Sequence, residues 1–273
     1  MINWKLIEKY LQVGQNDTLF LGGSSALPWK KSQAEEYDLF LITESISEEF
    51  VEKRSDERIS EQKRNGFTIV YINTEEVELD IEIWNRKKVD KAIRSFGRGL
   101  PSLTQIEENF NYFAGLDRKV GLDLFHNINI GLSQPRLSDN YIRLKEQIDW
   151  QRYYAWNRDY HLINVMDGVK GITTSIKGKH KQEAYLKLCW AFDNALDAIL
   201  FHHGISINRW KWRLRYLKYL PKDFSKVYQS IRFDGLLNSF EDFKQPLEIL
   251  KDTQNYIETR PTRGGDQYFL RRT

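Results

Sequence analysis

The clearest pattern in the chain is the alternation of apolar and acidic residues over 77–84, VELDIEIW. Every second residue there is aliphatic and the acids lie between, which predicts a β-strand with one apolar face and one acidic face. Shorter apolar runs at 18–23, 37–43 and 67–73 predict three more strands, and the first of these ends in two glycines, as a strand entering a tight turn does.

Helical spacing of apolar residues dominates the rest of the chain. Helices are predicted at residues 1–13, 139–150, 183–204 and 209–221, with one or two more within 223–258. Residues 46–66 are charged and permit a helix that ends at Gly66. Residues 168–181 contain three glycines among lysines and predict a flexible basic loop.

The helix predicted at 209–221 has two distinct faces. Its apolar face is formed by Trp210, Leu214 and Leu217. Its basic stripe is formed by Lys211, Arg215 and Lys218. Basic residues interleaved with aromatic ones are a possible nucleic-acid surface, but a solvated basic face is slightly favoured.

Strands that precede helices predict an α+β fold, in which a sheet-containing domain is followed by an α-helical bundle. The expected domains are residues 1–130 and 131–273. The turn-rich segment 97–138, with Gly99, Pro101 and Pro135, is the expected connection between them.

Composition narrows the class of protein. The 273 residues are 41% hydrophobic and 29% charged, with a net charge of +3 that is too small to indicate a nucleic-acid partner. Cys189 is the only cysteine, which excludes an intrachain disulfide and a multi-cysteine zinc site. No apolar run approaches the roughly 18 residues of a membrane helix, and the first residues lack a signal-peptide pattern. We therefore expect no membrane partner and a cytoplasmic location.

Glycines and acids in the first third of the chain suggest phosphate chemistry. The Gly22-Gly23-Ser24 turn allows a phosphate to approach the backbone, and Glu36 and Asp38 lie on one face of the next strand. Asp80 lies on the acidic face of the later strand, so neighbouring strands in register would bring it to the pair. Carboxylates that converge in this way bind Mg²⁺ and, through it, phosphate.

These motifs resemble the DNA-polymerase-beta-type nucleotidyltransferase superfamily, which includes aminoglycoside and lincosamide nucleotidyltransferases. The resemblance covers residues 15 to 85. It implies a mixed nucleotidyltransferase-like sheet and an active cleft between the two domains. It also implies Mg²⁺-dependent transfer of a nucleoside monophosphate from a nucleoside triphosphate to a hydroxyl of a small molecule.

The resemblance also implies residue roles. Glu36, Asp38 and Asp80 would be the catalytic, metal-binding acids, although the family usually has Asp where this chain has Glu36. Asp80 would complete the metal site or act as general base, with Glu82 as the reserve base. The residues that would contact the nucleotide phosphates are Gly22, Gly23, Ser24 and, more weakly, Lys211.

Other interpretations stay open. An alternating acidic strand is often a solvated sheet face. A relative without activity could bind a nucleotide or a protein partner. A third possibility is an enzyme that acts on RNA or on a protein, as in toxin–antitoxin pairs.

Overall fold

The computed structural model describes residues 3–26, 36–44, 58–64, 66–94, 112–113, 116–235, 237 and 239–259. The chain divides into two compact units, Met1–Asp149 and Trp150–Thr273. The described residues of the first unit combine strands and helices, and those of the second are helical. The α+β class predicted from the sequence is confirmed.

The first unit contains eight described strands and four described helices. The strands are β1 (Thr18–Leu21), β2 (Glu36–Thr43), β3 (Arg58–Lys63), β4 (Phe67–Asn73), β5 (Glu78–Asn85), β6 (Tyr112–Phe113), β7 (Leu116–Asp117) and β8 (Leu132–Ser133). The helices are α1 (Trp4–Ile7), α2 (Arg86–Arg94), α3 (Arg118–Ile130) and α4 (Ser138–Glu146).

Six strands form one mixed sheet in the order β3-β4-β5-β2-β1-β8. The two central strands, β2 and β5, run parallel, and the other neighbours are antiparallel. Aliphatic residues of the four central strands cover one face of the sheet, where they form a buried cluster with Ile7 of α1. Burial of this face follows the period of two seen in the sequence, because alternate side chains of a strand point to opposite faces.

The predicted strands at 18–23, 37–43, 67–73 and 77–84 are confirmed. Two predictions for the same unit are wrong. The N-terminal helix spans only Trp4–Ile7, because turns follow it and Leu11 is already extended into a bridge. The segment 46–66 permitted a helix ending at Gly66, but its residues 58–63 form β3, a mostly polar edge strand that pairs on one side only, and residues 46–57 lie outside the described part of the chain.

Helix α4 belongs to the first unit, although the sequence placed the boundary after residue 130. The Tyr141 hydroxyl lies 2.7 Å from the carbonyl oxygen of Ile128 and 2.8 Å from that of Gly131, and its single proton is shared between these two acceptors. The Asn140 side chain donates to the carbonyl of Asp17 at 2.7 Å. These bonds tie α4 to α3 and to the residue that precedes β1.

The second unit is built around two long helices, α5 (Trp150–Lys177) and α6 (Lys181–His202). They are followed by α7 (Arg213–Tyr216), α8 (Lys222–Gln229) and α9 (Lys244–Thr259), with short 3-10 segments on both sides of α7 and a π-helical turn after α8. Among the described helices, none combines the length and the apolar character that a bilayer span requires.

The loop predicted at 168–181 is wrong, since α5 continues through Lys177. Its glycines serve helix packing: a Cβ at Gly168 would lie 2.7 Å from the Cβ of Ala191 on α6. A small residue lets the two helices approach closely at this point. The chain turns only at 178–180, where Lys179 adopts a left-handed conformation.

The apolar face predicted for 209–221 is also wrong in part. Trp210 is 75% exposed and Leu214 is 42% exposed, whereas Trp212, Tyr216 and Leu217 are buried. The reason is that this segment changes from 3-10 to α and back to 3-10 geometry, so that the periodicity of a single α-helix does not apply.

Candidate functional site

The candidate site begins at the turn that follows β1. The Gly22 amide donates a hydrogen bond to the carbonyl of Asp38 (2.8 Å), which ties the turn to β2. Gly23 has a φ of +55° and begins a one-turn 3-10 helix that ends at Ala26. The Ser25 hydroxyl donates to the carbonyl of Glu36 at 3.1 Å, so the turn follows the edge of the acid-bearing strand.

The two glycines allow the turn to pack directly on β2. A Cβ at Gly23 would lie only 1.8 Å from Oδ2 of Asp38, and a Cβ at Gly22 would lie 2.5 Å from the Phe40 ring. Both distances are far below van der Waals contact. The backbone at Gly23 therefore forms one wall around the Asp38 carboxylate.

This geometry changes the expected role of the glycines. The Gly22 amide is bonded to Asp38, and the Gly23 amide donates to Oδ1 of Asn127 at 2.7 Å. In this conformation both amides are therefore engaged within the protein. Binding of a phosphate by Gly22, Gly23 and Ser24 stays a prediction, and the observed turn gives the glycines a packing role beside Asp38.

The parallel pairing of β2 with β5 places the predicted acids side by side. Asp38 lies directly opposite Asp80, and Glu36 lies opposite Glu78. Neighbouring strands are separated by about 4.8 Å, so opposite side chains on one face are within reach of a shared ligand. The prediction that the strands of Asp38 and Asp80 are adjacent and in register is confirmed.

The acidic face changes character along the two strands. Glu36 is exposed, and Asp38 and Asp80 are partly buried. Two residues further along β2, Phe40 is buried and its ring stacks on that of Phe20 at 5.2 Å. The acids that a ligand could reach thus lie near the start of both strands.

Glu82 lies opposite Phe40 and is engaged by its own strand. Its carboxylate accepts a hydrogen bond from the Trp84 indole nitrogen at 2.9 Å. A carboxylate held in this way has a fixed position close to the acid pair. Its role as the reserve base stays a prediction.

The pair of carboxylates fits Mg²⁺, which proteins commonly hold through one or two carboxylates together with phosphate oxygens. Within the described ranges, no group of three or more His, Cys, Asp or Glu side chains is arranged to hold a metal ion. Asp38 and Asp80, opposite one another in the strand register, are the two carboxylates that would hold the ion, and Glu36 would have to turn its exposed side chain to join them.

Two further residues adjoin the acids and were not identified from the sequence. Tyr71 of β4 lies opposite Asp80 and is 41% exposed. Partial burial raises the pKa of its hydroxyl, and the Asp80 and Glu82 carboxylates raise that pKa further. The alternating pattern of β4 could have identified Tyr71, because it places this residue on the same face as the acids. Asn127 of α3 carries no such signal, since 104 positions separate it from Gly23.

Lys211 belongs to the second unit, within a 3-10 segment that spans Trp210–Trp212. Its side chain is exposed, while the next residue, Trp212, is buried. A contact between Lys211 and a nucleotide phosphate stays a prediction.

A scan of protein-family models and a search of curated proteins found no match to this chain. Among solved structures, it is similar to a nucleotidyltransferase-like protein from Exiguobacterium sibiricum. The two are 9% identical, the match covers 89% of this chain and 69% of the other, and the TM-score is 0.43. Similarity at this level assigns neither a family nor an activity to this chain.

Proposed function

We propose that this protein is a Mg²⁺-dependent nucleotidyltransferase that moves a nucleoside monophosphate from a nucleoside triphosphate to a hydroxyl of a small molecule. One observation supports it most strongly: Asp38 and Asp80 lie side by side on parallel strands, and the Gly23 backbone packs on the Asp38 carboxylate. Two acids beside a glycine turn form a place where a metal-bound triphosphate can bind.

Each residue of the candidate site would have its own role in binding the metal and the triphosphate. Asp38 and Asp80 would hold Mg²⁺, which neutralises charge on the phosphates when it is bound. The turn at Gly22, Gly23 and Ser24 would position the phosphate chain beside the acids. Glu36, at the exposed start of the same face, would add a ligand or attract the metal by its charge.

The transfer forms one bond and breaks another. The acceptor hydroxyl oxygen bonds to the α-phosphorus, and the bond from that phosphorus to the bridging oxygen breaks, so that pyrophosphate leaves with the electron pair. The hydroxyl proton passes to a carboxylate of the same face: to Glu82 where Asp80 holds the metal, or to Asp80 where Asp80 acts as the general base instead. Both lie on β5, two residues apart, and so point to the same side of the sheet.

The acceptor is proposed to bind over β4 and β5. Tyr71 and Asn73 lie on β4 opposite Asp80 and Glu78, and so on the same face as the acids. The Asn73 side chain donates a hydrogen bond to Glu78 at 3.2 Å. Hydroxyl and amide groups at this position suit a polar, hydroxyl-bearing acceptor.

Calorimetric titration tests the proposal. The protein is titrated with ATP, GTP, CTP and UTP, each with and without Mg²⁺. Binding that requires Mg²⁺ and is lost in Asp38→Asn, but not in the exposed control Glu75→Gln, supports a metal-dependent site. Binding without any metal requirement would favour a nucleotide-binding protein that lacks activity. Absence of binding to every triphosphate would reject the proposed function.

A further inference from the structure

A buried amide on α3 contacts the glycine turn of the candidate site. Asn127 is 2% exposed, and its Oδ1 accepts the hydrogen bond from the Gly23 amide at 2.7 Å. Its Nδ2 donates to the carbonyl of Asp123, one helical turn earlier, at 2.8 Å. The two bonds together fix the orientation of the amide, because a flipped side chain would set two donors against each other at Gly23 and two acceptors against each other at the Asp123 carbonyl.

The helix that carries Asn127 is itself held in place. Asp117 caps its N-terminus by accepting a hydrogen bond from the Lys119 amide at 2.9 Å. At its other end, the carbonyls of Ile128 and Gly131 share the proton of the Tyr141 hydroxyl. The amide oxygen of Asn127 is thus presented to the turn from a rigid element, which is what a precise site requires.

We propose that Asn127 is a positioning residue for the acid pair. By accepting the Gly23 hydrogen bond, it holds the turn in its left-handed conformation and leaves the neighbouring Asp38 carboxylate directed toward Asp80. Without this acceptor, the partly buried Gly23 amide would lose its bond, and the Asp38 carboxylate, which a Cβ at Gly23 would overlap, is an acceptor beside it. A bond to that acceptor would draw Asp38 away from the metal position. The inference rests on the proposed function for the ligand that the pair would bind.

The test compares two buried asparagines with the same local hydrogen bond. Asn157 is fully buried, and its Nδ2 donates to the carbonyl of Tyr153, again one turn earlier, at 2.9 Å. Asn127→Ala and Asn157→Ala therefore remove equivalent helix bonds, and only the first also removes the acceptor for Gly23. Asn127→Asp restores an acceptor oxygen of the same reach, and it keeps the test available if Asn127→Ala does not fold.

Two measurements are made on each variant. Hydrogen exchange followed by NMR reports the Gly23 amide, with the Gly22 amide as an internal control because its bond to Asp38 does not involve Asn127. Calorimetry reports binding of MgATP. In Asn127→Ala we expect exchange at Gly23 to quicken and MgATP affinity to fall, each by on the order of tenfold. Asn157→Ala should change neither, and Asn127→Asp should lie nearer to wild type in both.

The outcomes separate this inference from the proposed function. Unchanged exchange at Gly23 in Asn127→Ala would overturn the positioning role. So would faster exchange with unchanged affinity, or an equal loss of affinity in Asn157→Ala. If the wild-type protein binds no MgATP, the proposed function fails and the ligand-binding role of Asn127 fails with it, while exchange at Gly23 still decides whether Asn127 holds the turn.

Discussion

Both the backbone conformation at Gly23 and the space around it require glycine. Its φ of +55° lies in the left-handed region, which side chains other than glycine rarely occupy, and a Cβ there would overlap the Asp38 carboxylate. Gly235 has nearly the same backbone conformation, with a φ of +61°, but nothing lies within 4 Å of the position of its Cβ. The comparison separates backbone strain from the steric demand of the site.

The Gly23→Ala and Gly235→Ala variants should therefore behave differently. Gly235→Ala should lower the free energy of unfolding by about 1–2 kcal/mol, the usual strain of a left-handed alanine, and leave ligand binding unchanged. Gly23→Ala should be more destabilising and should lose Mg²⁺-dependent triphosphate binding, because the methyl group displaces Asp38. Denaturant unfolding and calorimetry measure the two effects. Equal binding by both variants would remove the turn from the site.

Substitutions along β2 and β5 distinguish the roles of the individual residues in the same way. Asp38→Asn and Asp80→Asn should abolish Mg²⁺-dependent binding, because each removes half of the observed pair. Glu36→Gln should weaken the Mg²⁺ dependence less, since Glu36 lies opposite Glu78 at the exposed start of the strand. Phe40→Leu should lower stability by about 1 kcal/mol through lost ring packing and leave metal dependence unchanged.

Calorimetry of triphosphate binding across a series of Mg²⁺ concentrations measures these differences. Full metal dependence in Asp80→Asn would show that the strand pairing does not create a shared ligand. A loss of metal dependence in Phe40→Leu would place the site further along β2 than Asp38.

At the scale of elements, a network of charged side chains holds α7 against α6. Arg213 makes two hydrogen bonds to Asp197, at 2.9 and 2.6 Å, and its guanidinium also lies 3.2 Å from Asp193. Asp193 also pairs with Arg232 and accepts a hydrogen bond from the Tyr228 hydroxyl. Burial alone would lower the pKa of Arg213, but its bonds to Asp197 raise that pKa above its ordinary value, so the guanidinium stays charged.

Removing Asp197 takes two hydrogen bonds from the Arg213 guanidinium and leaves it with the longer contact to Asp193. Asp197→Ala should therefore lower the free energy of unfolding by about 3–5 kcal/mol. The control is Glu183→Ala, which removes the exposed (i, i+4) partner of Lys187 and should leave the free energy of unfolding nearly unchanged. Urea unfolding measures both variants. A similar small effect at both positions would mean that the network does not anchor α7.

The predictability of each element depends on how strongly its environment restricts its residues. β4 and β5 are central strands, so burial of one face imposes the alternation that identified them. The edge strand β3, RISEQK, has no such constraint, and its charges resemble those of a solvated helix. Residues 168–177 contain two glycines, a loop signal in sequence, yet these glycines are where α5 and α6 pack closely.

At the scale of the whole molecule, the candidate site combines residues that are distant in sequence. The pairing of Asp38 with Asp80 could be predicted, because strand periodicity puts both acids on one face and the family resemblance supplies the adjacency. The parallel register itself, and the amide of Asn127 behind the turn, could not be predicted. Both depend on tertiary packing, which a periodic pattern within one element does not contain.

Lys211, in the second unit, is predicted to contact a phosphate of the nucleoside triphosphate. If its charge contacts a phosphate, Lys211→Ala should weaken triphosphate binding by about tenfold, within the range of a charge-assisted hydrogen bond, and leave nucleoside binding unchanged. That difference should shrink at high salt, because ions screen exposed charges.

The control for Lys211→Ala is Lys170→Ala, which removes an exposed lysine from α5 of the same unit. Calorimetry with ATP and with adenosine, at low and high salt, compares the two variants. An equal loss of affinity for ATP and adenosine would indicate that the substitution disturbs the packing around Trp212. Unchanged ATP binding in Lys211→Ala would confine the phosphate contacts to other residues. A selective loss for ATP in Lys211→Ala alone would support the predicted contact between Lys211 and a nucleotide phosphate.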